Sequence, residues 1–363
     1  MRILQELIKE LTILVAFEPV TGEEQKSTLL FDYLEKQIGI LDIKYVSGKN
    51  HKYPYLVCGT KSVRKSKVLL QAHMDVVPAE TEQFALRIDG NKLYGRGVYD
   101  MLFAAAIYLC LARELHSQNL LHNLDVGFMF TSDEEIGGYY GVGELVKDYE
   151  CELCFIPDAG SSTHSCVTSK GVMQLNIASS GRAGHSSRPR QADNPIIPLA
   201  NFVTDITARH PNKDEFNTTY VITQFKGGEA INQIPHMAQL TLDIRFQIED
   251  EPKVLLEEVT RLAESYGLTV TVIGQAEAFT NADDSNAIDR FRTSYQEITG
   301  QELGELSERG SSDARFFAAK NIPVMMIRPI GGDLHGENEW VDAASLEQFY
   351  TILKAYITKE AIL

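Results

Sequence analysis

Several short runs of this chain are almost wholly apolar, and each is followed within three residues by a histidine or a carboxylate. The run VLLQA leads into His73, VGFMF leads into the acids at 133–135, and CFIP leads into Asp158. Patterns typical of helices lie between these runs. Near-continuous apolar strands that alternate with helices are typical of a sheet covered on both faces, which predicts an α/β fold. Polar side chains at the ends of such strands can converge although the chain separates them widely.

The pattern of elements changes near Gly171. From there to about Ala278 the order is strand, helix, two strands, helix, strand, which is the βαββαβ order of a ferredoxin-like domain. The helix and strand alternation then resumes. A chain of 363 residues is expected to form two domains. We therefore predict one α/β domain formed by residues 1–170 and 280–363, with a second domain inserted at residues 171–279.

Charge and composition narrow the possible partners. A net charge of −16 argues against nucleic-acid or anionic-membrane surfaces, because neither attracts an acidic protein. The N-terminal segment has an apolar stripe interrupted by Glu6, Lys9 and Glu10, which favours an amphipathic helix over a signal peptide or membrane span. Five cysteines leave one unpaired, and without an export signal we expect a cytoplasmic protein.

The pair Cys151 and Cys154 permits three interpretations. A structural zinc knuckle needs two further close Cys or His ligands, and none is obvious. A thioredoxin-like pair would open a helix, whereas ELCFIP has the pattern of a short buried strand. Ordinary packing cysteines are therefore the preferred interpretation, since cysteine is among the most buried residue types.

Two motifs carry a candidate ligand and its partner. His73 and Asp75 are two residues apart in QAHMDVVP, at a strand end, so their side chains point the same way. A histidine ligand usually donates its second ring N–H to a carboxylate, and Asp75 is placed to accept it, although a surface turn is the alternative. In GRGVYDM, Asp100 stands just before a long apolar helix. It is either a functional carboxylate or only the N-cap of that helix.

The acids Asp133, Glu134 and Glu135 form a cluster at the end of an apolar strand, ahead of two glycines. Adjacent carboxylates repel one another unless cations neutralise them. Asp158 repeats this placement, and His335 adds an imidazole in the glycine-rich loop GGDLHGENEW. Zinc takes histidine nitrogen and carboxylate oxygen as ligands, which favours a metal site. The number of carboxylates favours two ions rather than one.

Together these motifs resemble the M20 family of metal-dependent peptidases and amidohydrolases, which includes dipeptidases, aminopeptidases, aminoacylases, acetylornithine deacetylases and succinyl-diaminopimelate desuccinylases. The resemblance covers almost the whole chain through HMDVVP, GRGVYDM, TSDEEIGG, PDAG, GHSSRP, GGEAINQIP with the following DIR, GSSDAR and HGENE. It implies a zinc-peptidase-like catalytic domain, with a central sheet flanked by helices. It also implies that the ferredoxin-like insertion is a lid that serves dimerisation.

The resemblance assigns a role to each candidate ligand. Asp100 would bridge two divalent ions, His73 and Asp158 would complete the shell of one ion, and Glu135 and His335 that of the other. Zinc is the expected metal, with Co²⁺ and Mn²⁺ as alternatives.

The remaining residues would act on water and substrate. Glu134 would be the general base, and Asp75 the partner of His73. His185 would polarise the scissile carbonyl, acting across a homodimer formed through the lid or within its own chain. Arg245, beside the loop of Asn232, and Arg315 in GSSDAR are candidates to bind a substrate carboxylate, because guanidinium matches carboxylate bidentately.

The motifs of this chain point to two different substrate classes within the family. Asp158 stands where deacetylases and desuccinylases usually have Glu, which resembles the peptidases, whereas GSSDARFF resembles the desuccinylase loop. Leu102, Phe103 and Ala104 replace the Lys and glycines that commonly follow the Asp-Met pair. We predict hydrolysis of a peptide bond in a short peptide, with an N-acyl amino acid amidohydrolase as the alternative. A binding protein without catalysis is disfavoured, because no ligand or base is missing.

Overall fold

The structure is a computed structural model that describes residues 2–214, 216–281 and 286–362. The chain divides into two units. The larger unit comprises Met1–Val167, Asn281–Ser307 and Ser312–Leu363, and the smaller unit comprises Thr168–Thr280 and Glu308–Ser311.

Over the described residues the α-helices are α1 (Arg2–Val15), α2 (Glu24–Gly39), α3 (Leu102–Ser117), α4 (Val142–Leu145), α5 (Ile196–Arg209), α6 (Pro252–Ser265), α7 (Asn286–Thr299), α8 (Ala314–Ala318) and α9 (Ala343–Glu360). The strands over the same ranges are β1 (Lys44–Asn50), β2 (Tyr53–Gly59), β3 (Lys65–His73), β4 (Arg87–Asp89), β5 (Lys92–Tyr94), β6 (Val126–Thr131), β7 (Glu150–Phe155), β8 (His164–Ser169), β9 (Gly171–Ser180), β10 (Gly184–His185), β11 (Thr219–Gly227), β12 (Gln233–Ile234), β13 (Met237–Phe246), β14 (Thr269–Ala276), β15 (Phe279–Thr280), β16 (Gly304–Glu308), β17 (Val324–Met325), β18 (Gly331–Gly332) and β19 (Trp340–Asp342). None of these helices combines the length and the apolar composition that crossing a membrane requires, as far as the described ranges extend.

The central sheet of the larger unit has the strand order β1-β2-β6-β3-β7-β17. Strand β3 runs parallel to both β6 and β7, with His73 opposite Thr131 and Leu70 opposite Phe155. Parallel neighbours present their carboxyl ends at the same edge of a sheet. The apolar runs of the sequence therefore end side by side, and the predicted α/β class is correct.

The sheet is mixed rather than wholly parallel, because β2 pairs antiparallel with β6 and β1 pairs antiparallel with β2. Helix α3 lies in the apolar core of the unit, where Leu102 to Ala112 are all buried. It packs against α1 through an apolar stripe that includes Leu7, Leu11 and Leu14. This packing explains why α3 lacks the polar face of a surface helix.

The smaller unit contains an antiparallel sheet of order β11-β13-β9-β14, and α5 and α6 pack against it. In chain order its main elements are strand, helix, two strands, helix, strand. Strand β13 alternates between buried and less buried residues, so one face of the sheet covers a core that includes Leu175, Leu199 and Val259. The other face carries polar residues of the same strands, among them Asp243 and Arg245.

Candidate metal centre

The larger unit brings two imidazoles and several carboxylates together at the carboxyl edge of its central sheet. His73 is the last residue of β3, Glu134 and Glu135 form a turn after β6, and Asp158 follows β7. Their convergence follows from the parallel order of these three strands. His335 reaches the same place from the loop between β18 and β19.

Asp100 stands between two donor clusters. On one side its Oδ1 lies 3.1 Å from His73 Nε2, which is also 3.9 Å from Asp158 Oδ1. On the other side its Oδ2 lies 3.1 Å from His335 Nε2, which is 3.2 Å from Glu135 Oε1. Each of the two clusters gathers its donor atoms within 4.8 Å of one another. One aspartate thus offers a different oxygen to each cluster.

These spacings fit two divalent ions. Ligand atoms about 2.1 Å from a tetrahedral zinc ion lie roughly 3.4 Å from one another. The donor separations of 3.1 to 3.9 Å bracket that value. Each cluster also combines imidazole nitrogen with carboxylate oxygen, which is the donor set that zinc accepts. The residues therefore fit the metal pair that the family resemblance implies.

Asp100 is not the N-cap of the helix that follows it. Helix α3 begins at Leu102, its N-cap position is Met101, and no side chain caps it. The Asp100 carboxylate instead accepts hydrogen bonds from the two imidazoles. Of the two interpretations of this residue, the functional carboxylate agrees with its contacts.

The surroundings of His73 fix which ring nitrogen faces the cluster. Its Nδ1–H donates to the main-chain carbonyl of Asp75 at 3.0 Å, while the Asp75 carboxylate lies farther away, at 3.7 Å. A carbonyl oxygen can only accept, so Nδ1 carries the proton and Nε2 is directed at Asp100 and Asp158. Asp75 therefore contacts His73 through its backbone oxygen, which lies closer to Nδ1 than its carboxylate does.

The Asp75 carboxylate holds the turn of the two glutamates. Its Oδ1 accepts the backbone N–H of Glu134 at 3.2 Å, and its Oδ2 accepts that of Glu135 at 3.2 Å. The hydroxyl of Thr21 also donates to Oδ2, at 2.9 Å. Asp75 is fully buried, so these three donors compensate for the loss of water around its charge.

The pKa values at this edge reflect crowding of like charges. Burial and the nearby Asp158 raise the pKa of Glu134 well above its usual range. Burial alone would raise the pKa of Asp100, but hydrogen bonds from His335 and His73 hold it below the usual range. Hydrogen bonds to Asp100 and Glu135 raise the pKa of His335 to about 10. Crowded carboxylates of this kind favour positively charged partners.

Several buried polar residues of the site received no role from the sequence. Asp133 accepts the backbone N–H groups of Tyr140 and Gly141 at 2.7 and 3.1 Å, and burial raises its pKa to about 6. The Asp313 carboxylate lies beside Gly138, and burial raises the pKa of Asp313 to about 7. Gly138 has φ 62°, and a side chain there would collide with the Asp313 carboxylate.

Another buried pair, Arg96 and Glu339, contacts the segments of Asp100 and His335. The sequence could have pointed to Asp133, Asp313 and Glu339, because they lie inside the short motifs TSDEEIGG, GSSDAR and HGENE.

Arg315 is buried in the larger unit, with 6% of its surface exposed. Its guanidinium donates to the carbonyl of Gly137 at 2.5 Å and to that of Ser312 at 2.8 Å, and it lies over the ring of Phe316. These contacts tie α8 to the turn that carries Glu135.

The other predicted substrate residues lie in the smaller unit. His185 is exposed on β10, which pairs with β12, and the backbone N–H of Ser186 donates to the carbonyl of Asn232 at 3.0 Å. This pairing places the loops of His185 and Asn232 side by side. Arg245 pairs with Asp243 on the same strand, with 2.8 Å from Nε to Oδ1.

A model of peptidase family M20/M25/M40 matches residues 69–359. The chain belongs to this family. The prediction of an M20 hydrolase is therefore confirmed.

Relatives of this M20 protein include peptidases and an amidohydrolase. The succinyl-diaminopimelate desuccinylase of Sulfurovum sp. (strain NBC37-1) is 27% identical, over 95% of this chain and 96% of that protein. The structure of a tripeptidase from Staphylococcus aureus superposes with a TM-score of 0.80 at 22% identity, over 99% of this chain and 98% of that one. A dinuclear metal-binding M20 peptidase from Bacillus subtilis gives a TM-score of 0.69 at 15% identity, over 99% of both chains. The structural likenesses establish a shared fold.

Proposed function

We propose that this M20 protein hydrolyses a peptide bond close to a free terminus of a short peptide. The reaction would use two divalent ions, and zinc is the expected metal. The proposal rests on the two donor clusters on either side of Asp100, because Asp100 directs one carboxylate oxygen to each cluster. His73 and Asp158 would complete one ligand shell, and Glu135 and His335 the other.

Glu134 and Asp75 would have different roles in the reaction. When bound, two such cations supply Lewis-acid polarisation of the scissile carbonyl and lower the pKa of the attacking water. Glu134 takes the proton of that water and passes it to the leaving amine. A carboxylate can accept a proton from water and then donate it to a leaving group, which is the role assigned to Glu134. Asp75 keeps Glu134 and Glu135 in place through their backbone N–H groups.

Residues of the smaller unit would bind the substrate. We assign His185 to polarisation of the scissile carbonyl, and Asn232 to substrate binding beside it, because its loop pairs with that of His185. Arg245 is the preferred group for a free substrate carboxylate. Arg315 is less suitable for that role, since its guanidinium already donates to the carbonyls of Gly137 and Ser312.

An N-acyl amino acid amidohydrolase is the second candidate. The 27% identity to a desuccinylase over almost the whole chain favours it. The tripeptidase with a TM-score of 0.80 and Asp158, in place of the Glu usual in deacylases, favour the peptidase. Both reactions cleave an amide bond, so the same metal centre could catalyse either one. The residues that bind the acyl side of the substrate would determine which substrate is preferred.

A panel of substrates measured side by side tests the proposal. The metal-saturated protein should cleave unprotected dipeptides or tripeptides with a higher kcat/KM than N-acetyl or N-succinyl amino acids. The reverse order would favour the amidohydrolase, and no turnover of either class would favour a binding protein. Metal analysis of the same sample should give two ions per chain, and a reproducible limit of one ion would contradict the bridging role of Asp100.

We also propose that the protein is a homodimer formed through the smaller unit, with His185 acting on the second subunit. Mixed dimers of His185→Ala and Glu134→Gln chains test this idea. Each variant is expected to be inactive alone, whereas a mixed dimer combines one intact metal centre with one intact His185. Partial recovery of activity is expected. No recovery after demonstrated subunit exchange would mean that His185 acts in its own chain or has no catalytic role.

A further inference from the structure

Glu339 is a fully buried carboxylate that the proposed chemistry does not use. Its Oε2 accepts hydrogen bonds from Arg96 Nη1 at 2.7 Å and from the backbone N–H of Gly97 at 3.1 Å. Its Oε1 accepts those of Tyr99 and Asp100 at 2.9 and 3.1 Å. The loop that carries the shared metal ligand is therefore folded around a single carboxylate.

Arg96 extends the same contact to a second ligand. Its Nη1 pairs with Glu339, and its Nη2 donates to the main-chain carbonyl of His335 at 3.0 Å. His335 has φ 61°, in the left-handed region that residues other than glycine seldom adopt. A hydrogen bond to the carbonyl of His335 helps to hold the imidazole in the direction that this backbone conformation gives it.

We propose that the Arg96–Glu339 pair positions the cluster of Asp100, Glu135 and His335 for its metal ion. Glu339 fixes the backbone of Asp100, and Arg96 fixes the loop of His335. The proposal rests on the two-metal function given above. Neither side chain contacts a reacting atom, so both are positioning residues rather than catalytic ones.

A change at Arg96 alone predicts an effect confined to the ion at His335, because Asp100, which belongs to both clusters, keeps its hydrogen bond to Glu339. Groups that orient metal ligands typically change metal affinity by about 10- to 100-fold when they are altered. Arg96→Lys keeps a positive charge beside Glu339, but a single ammonium does not reproduce the fork that spans Glu339 and the His335 carbonyl. Glu339 still holds the backbone of Asp100 in this variant. The affinity for the ion at His335 should therefore fall, while the ion at His73 is retained.

A matched pair elsewhere in the larger unit provides the control. Glu10 is also buried, and its carboxylate accepts hydrogen bonds from Arg113 at 2.6 Å and from the Tyr33 hydroxyl at 2.7 Å. These residues belong to α1, α2 and α3. Glu10→Gln and Glu339→Gln make the same chemical change in a buried glutamate bonded to an arginine. A purely structural role for Glu339 should give both variants a lower Tm and unchanged metal affinity.

The experiment is a competition titration of the full-length, metal-free chain with Zn²⁺ against a chromophoric chelator, with Tm measured in parallel. Arg96→Lys should bind one ion normally and the other about 10- to 100-fold more weakly. Glu339→Gln should show at least the same loss, and Glu10→Gln none. In a Glu135→Ala background, which lacks a ligand of the affected cluster, Arg96→Lys should cause no further loss.

The possible results separate this proposal from the function on which it rests. A wild-type chain that binds two ions, together with unchanged affinities in Arg96→Lys, would overturn the positioning role alone. A wild-type chain that binds one ion would overturn the two-metal function and the positioning role with it. If Glu339→Gln does not fold, Arg96→Lys still decides, because it keeps the buried charge pair.

Discussion

Asp75→Asn tests whether the Asp75 carboxylate acts on the turn of the glutamates or on His73. Asparagine has one acceptor oxygen in place of two. The favoured orientation puts that oxygen at the Oδ2 position, where it keeps the donors Thr21 and Glu135 N–H. The amide nitrogen then faces the backbone N–H of Glu134, which in the unsubstituted protein donates to Oδ1 at 3.2 Å. The variant therefore leaves one buried donor without an acceptor, beside the proposed general base.

The expected size of the effect follows from that lost bond. A buried donor without a partner costs about 1–3 kcal/mol. If Glu134 is misplaced as a result and the activation free energy rises by this amount, kcat should fall roughly 5- to 150-fold, since about 1.4 kcal/mol corresponds to a tenfold change. Metal affinity should be largely retained, because the Asp75 atom closest to His73 Nδ1 is the backbone oxygen, which the substitution leaves in place.

The assay measures kcat under metal saturation and the two zinc affinities of the same variant. Asp148→Asn is the control, because it makes the same chemical change in a carboxylate that is 74% exposed. The opposite pattern would refute the reasoning. If zinc affinity fell about 10- to 100-fold while kcat at saturation was unchanged, the carboxylate would act on His73, as in other metal-bound histidines.

Three further measurements test the proposed roles of individual residues. Glu134→Gln should lower kcat by about 10²–10⁴-fold while both ions stay bound, because the base is lost and no ligand is; loss of metal with residual turnover would exchange the roles of the two glutamates. Zinc binding should release protons and become tighter as pH rises from about 6 to 9, because carboxylate neighbours raise the pKa of His335 to about 10 and raise that of His73 against the effect of burial. Calorimetry in buffers of different ionisation enthalpy measures this release, and an affinity independent of pH would contradict it. Arg245→Lys should raise KM for substrates with a free carboxylate, because lysine lacks the bidentate geometry; an equal rise for the C-terminally amidated substrate would assign Arg245 to its ion pair with Asp243 alone.

Local patterns were sufficient for many elements of the fold. The apolar runs that end at His73 and Phe155 form β3 and β7, and the period of α1 and α6 is visible because one face of each helix is buried. Strand β1 was not predicted, since its residues are mostly polar and none of them is buried. Its pairing with β2 is a property of the sheet edge, where hydrophobic alternation is weak.

The residue types of the candidate metal centre, and their places after strands, can be recognised in the sequence alone, which is why the family could be predicted. Which atoms meet depends on the folded chain. The two oxygens of Asp100 face different imidazoles, and the backbone rather than the carboxylate of Asp75 is the nearer acceptor for His73. The role of Glu339 depends on Arg96, which is 243 positions away. Periodicity records which face of an element is buried, but a hydrogen bond between distant segments depends on packing, so only the folded chain shows it.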